Sequence, residues 1–309
     1  MKKWIQKAIV QKTISYLPAS QKINYFFQKY ITKGVYLEDI YFYDRLDHAS
    51  AHIKSYQEYN KSNIPNISLE IGAGWYPIVP ISFFLAGTNK IYSVDVTFLT
   101  SKKRIRTTLN KFVECHESGK LKDYIKIIPD RFQIIETILA NFEDYSLDQI
   151  LKNLKLKYLI EDARNLTLKS NSIDFINSNN TFEHIYPEIL IPILKDLKRV
   201  IKKEGVMSHF IDMSDHFAHF DKSINIYNFL KFSDAKWKWI DNSIQPQSRS
   251  RIYDYKNIYS DLKIPISKES FRRGNIKELE SISLAKNYLE KPIEEIAKSH
   301  CHFISNMSE

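Results

Sequence analysis

One run of nine residues limits this chain more than any other: Leu69-Glu70-Ile71-Gly72-Ala73-Gly74-Trp75-Tyr76-Pro77, an apolar approach with a carboxylate and two closely spaced glycines. Residues 64–69 are short and partly β-branched, and 78–86 are apolar enough for a buried helix, so the local expectation is strand, tight turn, helix. Glycine at 72 and 74 admits positive φ and puts no Cβ between the backbone and a ligand. Gly-x-Gly after an apolar run is often only a turn, so the stretch alone leaves turn and ligand cradle equally open.

The later apolar runs favour the cradle. A second, Ile91-Tyr92-Ser93-Val94, ends at Asp95, about 25 residues after Glu70, where an acid can accept both hydroxyls of a ribose. A third, Tyr158-Leu159-Ile160, leads to Asp162-Ala163. A fourth, Ile173-Asp174-Phe175-Ile176, runs into Ser178-Asn179-Asn180-Thr181-Phe182-Glu183-His184-Ile185. In an open parallel sheet the ligand lies across the carboxyl ends of the strands, so these four ends would converge on one crevice. The apolar spacing of Ile191, Leu194, Leu197, Val200 and Ile201 predicts a helix over 187–203, stopped by Gly205 and followed by a fifth strand over 206–211. A helix over 292–298 and a strand over 300–304 would supply an antiparallel strand that completes the sheet. The span 97–157 exceeds one crossover helix and predicts two or three. The expected class is therefore α/β: a Rossmann-like, mostly parallel sheet of about seven strands with helices on both faces. An N-terminal helical cap would occupy 1–62, and the domain over 63–309 would carry an inserted helical, aromatic subdomain at about 213–262.

Through Glu70-x-Gly72-x-Gly74, Asp95, Asp162-Ala163, the run from Asp174 to His184, and Leu197-Lys198-Arg199-Val200-Ile201-Lys202-Lys203-Glu204-Gly205, the chain resembles the class I S-adenosylmethionine-dependent methyltransferases over residues 64–212. The resemblance implies S-adenosylmethionine as cofactor. It also implies that Glu70 holds the methionine amino group, that the backbone of Gly72, Ala73 and Gly74 approaches the cofactor, and that Asp95 binds the ribose. By the same resemblance Asp162 with the Ala163 amide reads the adenine edge, and Asn179 is a further cofactor contact. Two features depart from the family. The usual third glycine is Tyr76, followed by Pro77, and the connection over 97–157 is long. Trp75 or Tyr76 either walls the cofactor pocket or packs on the sheet, and packing is the favoured expectation. A nicotinamide dehydrogenase would want glycine at 77, and DNA amino-methyltransferases would show an Asp/Asn-Pro-Pro-aromatic turn where Ser178-Asn179-Asn180-Thr181 stands. A narrower resemblance, through Trp75-Tyr76-Pro77, Asp215-His216-Phe217 and Asn228-Phe229-Leu230-Lys231-Phe232, is to uncharacterised bacterial methyltransferases with a link to cell-surface glycans.

Residues 212–221 pack three aspartates and two histidines into ten positions at the end of the fifth strand. Methyl transfer from a sulfonium needs alignment and dryness, whereas a hydroxyl acceptor must also lose a proton. Histidine beside a carboxylate suits that task, so His216 is the candidate general base, with Asp212 or Asp215 orienting it. His209 and His219 are lesser candidates, and His184 is expected to cap the pocket near the cofactor. The alternative is a solvated loop. A metal held by His216, His219 and Asp212 is the less favoured reading, and the expectation is no metal. His48 and His52, four apart in the predicted helix within 34–59, share a face. They read as buried structural histidines or as a cap lending one imidazole to the substrate pocket.

With 43% hydrophobic and 26% charged residues in 309, the chain can bury one large core or a core plus an appendage. Cys115 and Cys301, far apart and without metal-type spacing, point to a reducing, cytoplasmic setting without disulfides. The net charge of +9 suits an anionic partner, but it comes mostly from a Lys-rich composition without an arginine-rich block. Nucleic acid is thus permitted and not favoured; a small-molecule or glycan acceptor is preferred. Trp4, Ile5, Ile9, Val10, Ile14, Leu17, Tyr25, Phe26 and Phe27 predict one or two amphipathic helices within 1–30, to pack on the enzyme or, second, to lie on the inner face of a membrane. Lys7 interrupts any signal-peptide core, and no stretch reaches the roughly 18 to 20 apolar residues of a span. Aromatics interleaved with basic residues over 221–262 could face a sugar, a base or a headgroup, or build a core. The function expected is O-methylation of a sugar, glycan or small metabolite, with an RNA or tRNA methyltransferase and an inactive cofactor-binding scaffold as alternatives.

Overall fold

All nine residues of the helix Ile78–Ala86 are buried in the computed structural model, which describes residues 2–17, 36–61 and 63–309. This helix follows β1 (Ile67–Ile71), as the strand, turn and helix pattern requires. The chain divides into two compact units. The first, here the glycine-turn unit, comprises residues 37–179, 192–209 and 304–309. Its strands β1, β2 (Lys90–Asp95), β3 (Leu156–Ile160) and β4 (Ile173–Asn179) pair in parallel. The register sets Ile71 beside Val94 and Ser178, and Asp95 beside Ile160, so four carboxyl ends finish level. Apolar residues fill the core because each strand is covered: Phe42, Leu46, Ala49 and Ile53 repeat at helical spacing along Asp39–Tyr59 and join Phe83, Phe84 and Phe175.

Between β2 and β3 the chain forms four helices, Lys102–Glu117, Leu121–Tyr124, Pro129–Ala140 and Leu147–Asn153, rather than two or three. Gly119, at φ +72°, and Pro129, at a helix start, cut out the extra single turn. The helix Pro187–Val200 ends three residues before its expected limit, and β5 (Ile201–Asp212) begins at once. Gly205 is therefore no helix stop. It lies inside β5, where a Cβ would stand 2.6 Å from Ile201 Cγ1 and 3.0 Å from the Asp174 carbonyl oxygen, so the position needs a residue without one.

Two more strands, β6 (Lys268–Arg272) and β7 (His300–Asn306), complete a seven-stranded sheet in the order β3-β2-β1-β4-β5-β7-β6. The Met213 N–H donates to the Ser299 carbonyl at 2.7 Å and the Met307 N–H to the Gly205 carbonyl at 3.0 Å, which makes β7 antiparallel to β5. This α/β, mostly parallel architecture is the expected one. β6 was not legible: all five of its residues, Lys-Glu-Ser-Phe-Arg, are exposed, as suits a charged edge strand.

The second, aromatic unit comprises, of the described residues, 2–17, 36, 180–191 and 210–303. Trp4, Ala8, Phe217, Tyr227, Phe229, Leu230, Trp237, Leu279, Tyr288 and Ile296 form its core. The Arg251 guanidinium, fully buried, donates to the carbonyls of Met213, Ile296 and Lys298. Tyr227, Phe229, Trp237, Tyr255 and Tyr259 are buried, so most of the aromatic run over 221–262 is core; Trp239, 81% exposed, is the exception. The insertion extends to residue 299 rather than about 262, because β6 and three short helices also stand between β5 and β7.

The cap expected over 1–62 is not one body. The helix Lys3–Ser15 belongs to the aromatic unit, where the Trp4 ring packs on Phe217 and the Trp4 backbone N–H donates to Asp221 Oδ2 at 3.0 Å, while Lys12 Nζ reaches the Asp241 carbonyl at 2.7 Å. The helix Asp39–Tyr59 belongs to the glycine-turn unit, because its apolar face matches Ile78–Ala86. Tyr25, Phe26 and Phe27 lie outside the described residues. Among the described residues no helix is long and apolar enough to cross a membrane, and both cysteines are buried and free.

Candidate active site

In the glycine-turn unit, Glu70 sits one residue before the end of β1, 6% exposed. The register sets it beside Ser93 and Asn177, and its carboxyl accepts the Ser93 hydroxyl at 3.1 Å and the Asn179 amide N–H at 3.2 Å. Burial pushes Glu70 up to about 8, against the Ser93 and Asn179 hydrogen bonds and the more distant Arg45, which pull it down. Asn179 is the hub of this network. Its Oδ1 accepts from His48 Nδ1 at 3.1 Å and from His52 Nε2 at 3.0 Å, while His52 Nδ1 meets Ser208 Oγ at 2.7 Å. His48 and His52 thus share a face as their spacing predicts, and both fix the amide of Asn179. The part played by Ser93 and Ser208 escaped the sequence, since a serine in a strand carries no distinguishing pattern.

The glycines do what the turn requires. Gly72 has φ +84° and its N–H donates to the Val94 carbonyl at 2.9 Å, and Gly74 has φ +58°. Among the described residues no atom lies within 4 Å of where a Gly74 Cβ would be, so its backbone borders open space there. Asp95 faces the same turn: burial raises its pKa, while the N–H groups of Thr97, Gly74, Val96 and Ala73 oppose the rise. Glu70, Gly72, Ala73, Gly74, Asp95 and Asn179 are therefore gathered at the level strand ends. This set fits S-adenosylmethionine: a buried carboxyl held by neutral donors suits an ammonium, and an open, Cβ-free turn suits a closely approaching ligand. Ala163 is buried nearby in sequence to β3, but Asp162 is exposed and engaged with Arg164, whose guanidinium and backbone N–H both donate to it and lower its pKa. Tyr76 packs against the core, as favoured, and Arg104 lies 4.3 Å over the Trp75 ring.

The acceptor-side candidates lie in the aromatic unit. Asp212, 5% exposed, has His300 Nε2 at 3.3 Å, His216 Nε2 at 3.6 Å and the Ser214 N–H at 2.9 Å. Burial would raise Asp212, but the His300 hydrogen bond, with the positive charge that the His216 and His300 rings acquire when protonated, outweighs it and holds the carboxyl well below its usual range. His216 is pushed down to about 3 by burial and by His184 beside it, against the pull of Asp212, so the ring is neutral near pH 7. Of the two orienting carboxylates expected, Asp212 neighbours the ring. Asp215 instead accepts the Phe217 N–H at 2.8 Å and the Asn228 amide at 3.1 Å, its pKa raised to about 6 by burial. His219 meets Ser214 Oγ at 3.0 Å. His209 belongs to the glycine-turn unit, bound to Ser178 Oγ at 2.8 Å. His184, expected as a cap near the cofactor, has its ring edge-on to His216 with centroids 4.8 Å apart. His300 went unnoticed because it reads only as the first residue of a strand. A cavity of about 410 Å³ in this unit is lined by Ser248, Arg249, Tyr253, Asn257, Asn287, Tyr288 and Lys291 among others.

A family model described as "Methyltransferase domain" matches residues 132–208. No curated protein matches the chain in sequence. Among solved structures, a Galdieria sulphuraria protein described as a candidate sarcosine dimethylglycine methyltransferase is 14% identical, with 85% of this chain and 86% of that one covered and a TM-score of 0.45. The 1,6-didemethyltoxoflavin-N1-methyltransferase of Burkholderia thailandensis, bound to S-adenosylhomocysteine, is 8% identical, with 85% and 80% covered and a TM-score of 0.44. At these identities and scores the fold assignment rests on this chain's own strand order.

Proposed function

We propose that this chain, which carries an S-adenosylmethionine-dependent methyltransferase domain, transfers the methyl group to an oxygen of a sugar, glycan or other small metabolite. The observation that carries the oxygen reading is the geometry of His216 and Asp212, with Nε2 3.6 Å from the carboxylate, a histidine–carboxylate arrangement that can take a proton from a hydroxyl. The cofactor supplies an electrophilic methyl on a sulfonium that leaves without acid assistance. The protein's part is to orient and to move one proton. In this reading the acceptor hydroxyl would give its proton to His216, whose ring faces the Asp212 carboxylate.

On the cofactor side Glu70 receives the methionine ammonium, Asp95 the ribose hydroxyls, and the Gly72-Ala73-Gly74 backbone the body of the ligand. Asp162 would meet the adenine edge only by releasing Arg164. The cavity beside Tyr253, with amide and charged groups at its wall, is the kind of surface that binds a hydroxylated ring. It shares Ser248 with the histidine cluster, since the Ser248 N–H donates to the Glu183 carbonyl at 2.9 Å.

The test is a screen of nucleotide sugars and glycans for methyl transfer, with His216→Ala alongside. Transfer to a hydroxyl that collapses in the variant supports the reading. Salt-sensitive methylation of RNA instead, or full turnover by His216→Ala, would replace it.

A further inference from the structure

Glu183, His184 and His216 each offer one ligand-type atom, and these three atoms lie within 4.8 Å of one another. The trio crosses two sequence segments, a short 3-10 turn at Phe182–His184 and the loop after β5, so helical spacing does not explain the convergence. A third segment clamps all three. The Pro246 carbonyl accepts from His184 Nδ1 at 2.7 Å, the Gln247 side chain accepts the His216 backbone N–H at 3.0 Å, and the Ser248 N–H donates to the Glu183 backbone carbonyl at 2.9 Å. Three consecutive residues therefore each hold one member. That segment is itself anchored, because the Gln247 N–H donates to Asp241 Oδ1 at 3.2 Å and Trp237 Nε1 donates to the Gln247 carbonyl at 3.2 Å.

The tautomer also fits. With Nδ1–H given to a backbone carbonyl, His184 keeps its lone pair on Nε2, the arrangement by which metal-ligating histidines are oriented. Asp212, 3.6 Å from His216 Nε2, supplies a carboxylate behind the second imidazole. Glu183 is 5% exposed, so the carboxylate is kept from bulk water.

We propose that Glu183, His184 and His216 bind one divalent transition-metal cation, zinc or a cation of similar ligand preference. Two imidazoles and one carboxylate match zinc with an open position for water or a substrate oxygen, and they also suit ferrous iron; magnesium prefers all-oxygen shells. The binding itself does not depend on the acceptor.

Chelator-treated full-length protein is titrated with cobalt(II), following visible d–d absorption and the number of equivalents bound. One equivalent with visible bands, lost in Glu183→Gln and His184→Ala and retained in His219→Ala, is expected. No spectral change in the unaltered protein, or bands that persist in both ligand variants, would overturn the site. Glu183→Gln preserves shape and decides the matter should His184→Ala fail to fold. Calorimetric binding of S-adenosylmethionine to the metal-free protein is measured in parallel, so that loss of the cation site and loss of the cofactor assignment are read separately.

Discussion

Glu70 and Asp212 are both carboxyl groups at strand ends, both nearly inaccessible, yet burial leaves them in opposite states. Glu70 has neutral partners, Ser93 and Asn179, and rises to about 8; Asp212 has two imidazoles, and falls below its usual range. Dehydration penalises a carboxylate in either place, and only an adjacent group that can carry positive charge reverses the balance. In the proposed function Glu70 would meet a cation that the ligand brings, whereas Asp212 is ionised beforehand with two imidazoles beside it.

The largest expected effect breaks the Asp212 side. His216→Ala should lower kcat about 10²- to 10⁴-fold, with cofactor affinity unchanged by calorimetry. Weakened cofactor binding instead would mean that the two carboxyl groups do not divide the work. Next, Glu70→Gln removes the charge that meets the ammonium and should weaken S-adenosylmethionine about 10- to 100-fold.

The same variant sharpens the electrostatic claim. The folded pKa of Glu70 lies above its ordinary value of 4.5, so its contribution to stability is complete below that value and is lost as pH rises through about 8. Glu70→Gln should therefore gain stability on the alkaline side, measured by denaturant unfolding on either side of that window; a gain only on the acid side would contradict the assignment. Third, cofactor affinity should fall by up to about tenfold per pH unit below 8, because the proton on Glu70 must leave. The smallest effect is Gly74→Ala. Its φ of +58° costs an alanine about 1 kcal/mol, seen as a lowered Tm without any clash to relieve.

The parallel half of the sheet was legible because each of its strands carries a short apolar run with a polar residue at or beside its carboxyl end, and the order of Glu70, Asp95 and Asn179 comes from that pattern. Gly205 misled because glycine after an amphipathic run is ambiguous between helix stop and close approach, and only the neighbouring Ile201 and Asp174 decide it. β6 carries no apolar alternation, so nothing in its composition separates it from a loop. In the histidine cluster, His216 and Asp212 stood out by density, while His300 and Glu183 arrive from distant segments. Glu183, His184 and His216 are brought together by tertiary bonds to Pro246, Gln247 and Ser248, which no local spacing encodes.

The most direct measurement is calorimetric titration with S-adenosylmethionine at about pH 6.5, where Glu70 is protonated and an α-amino group is charged, in two buffers of different ionisation enthalpy. The account predicts binding, with NAD silent, and a heat that changes between buffers by the release of about one proton, a change that disappears in Glu70→Gln. Absence of binding, or a heat identical in both buffers, would contradict it.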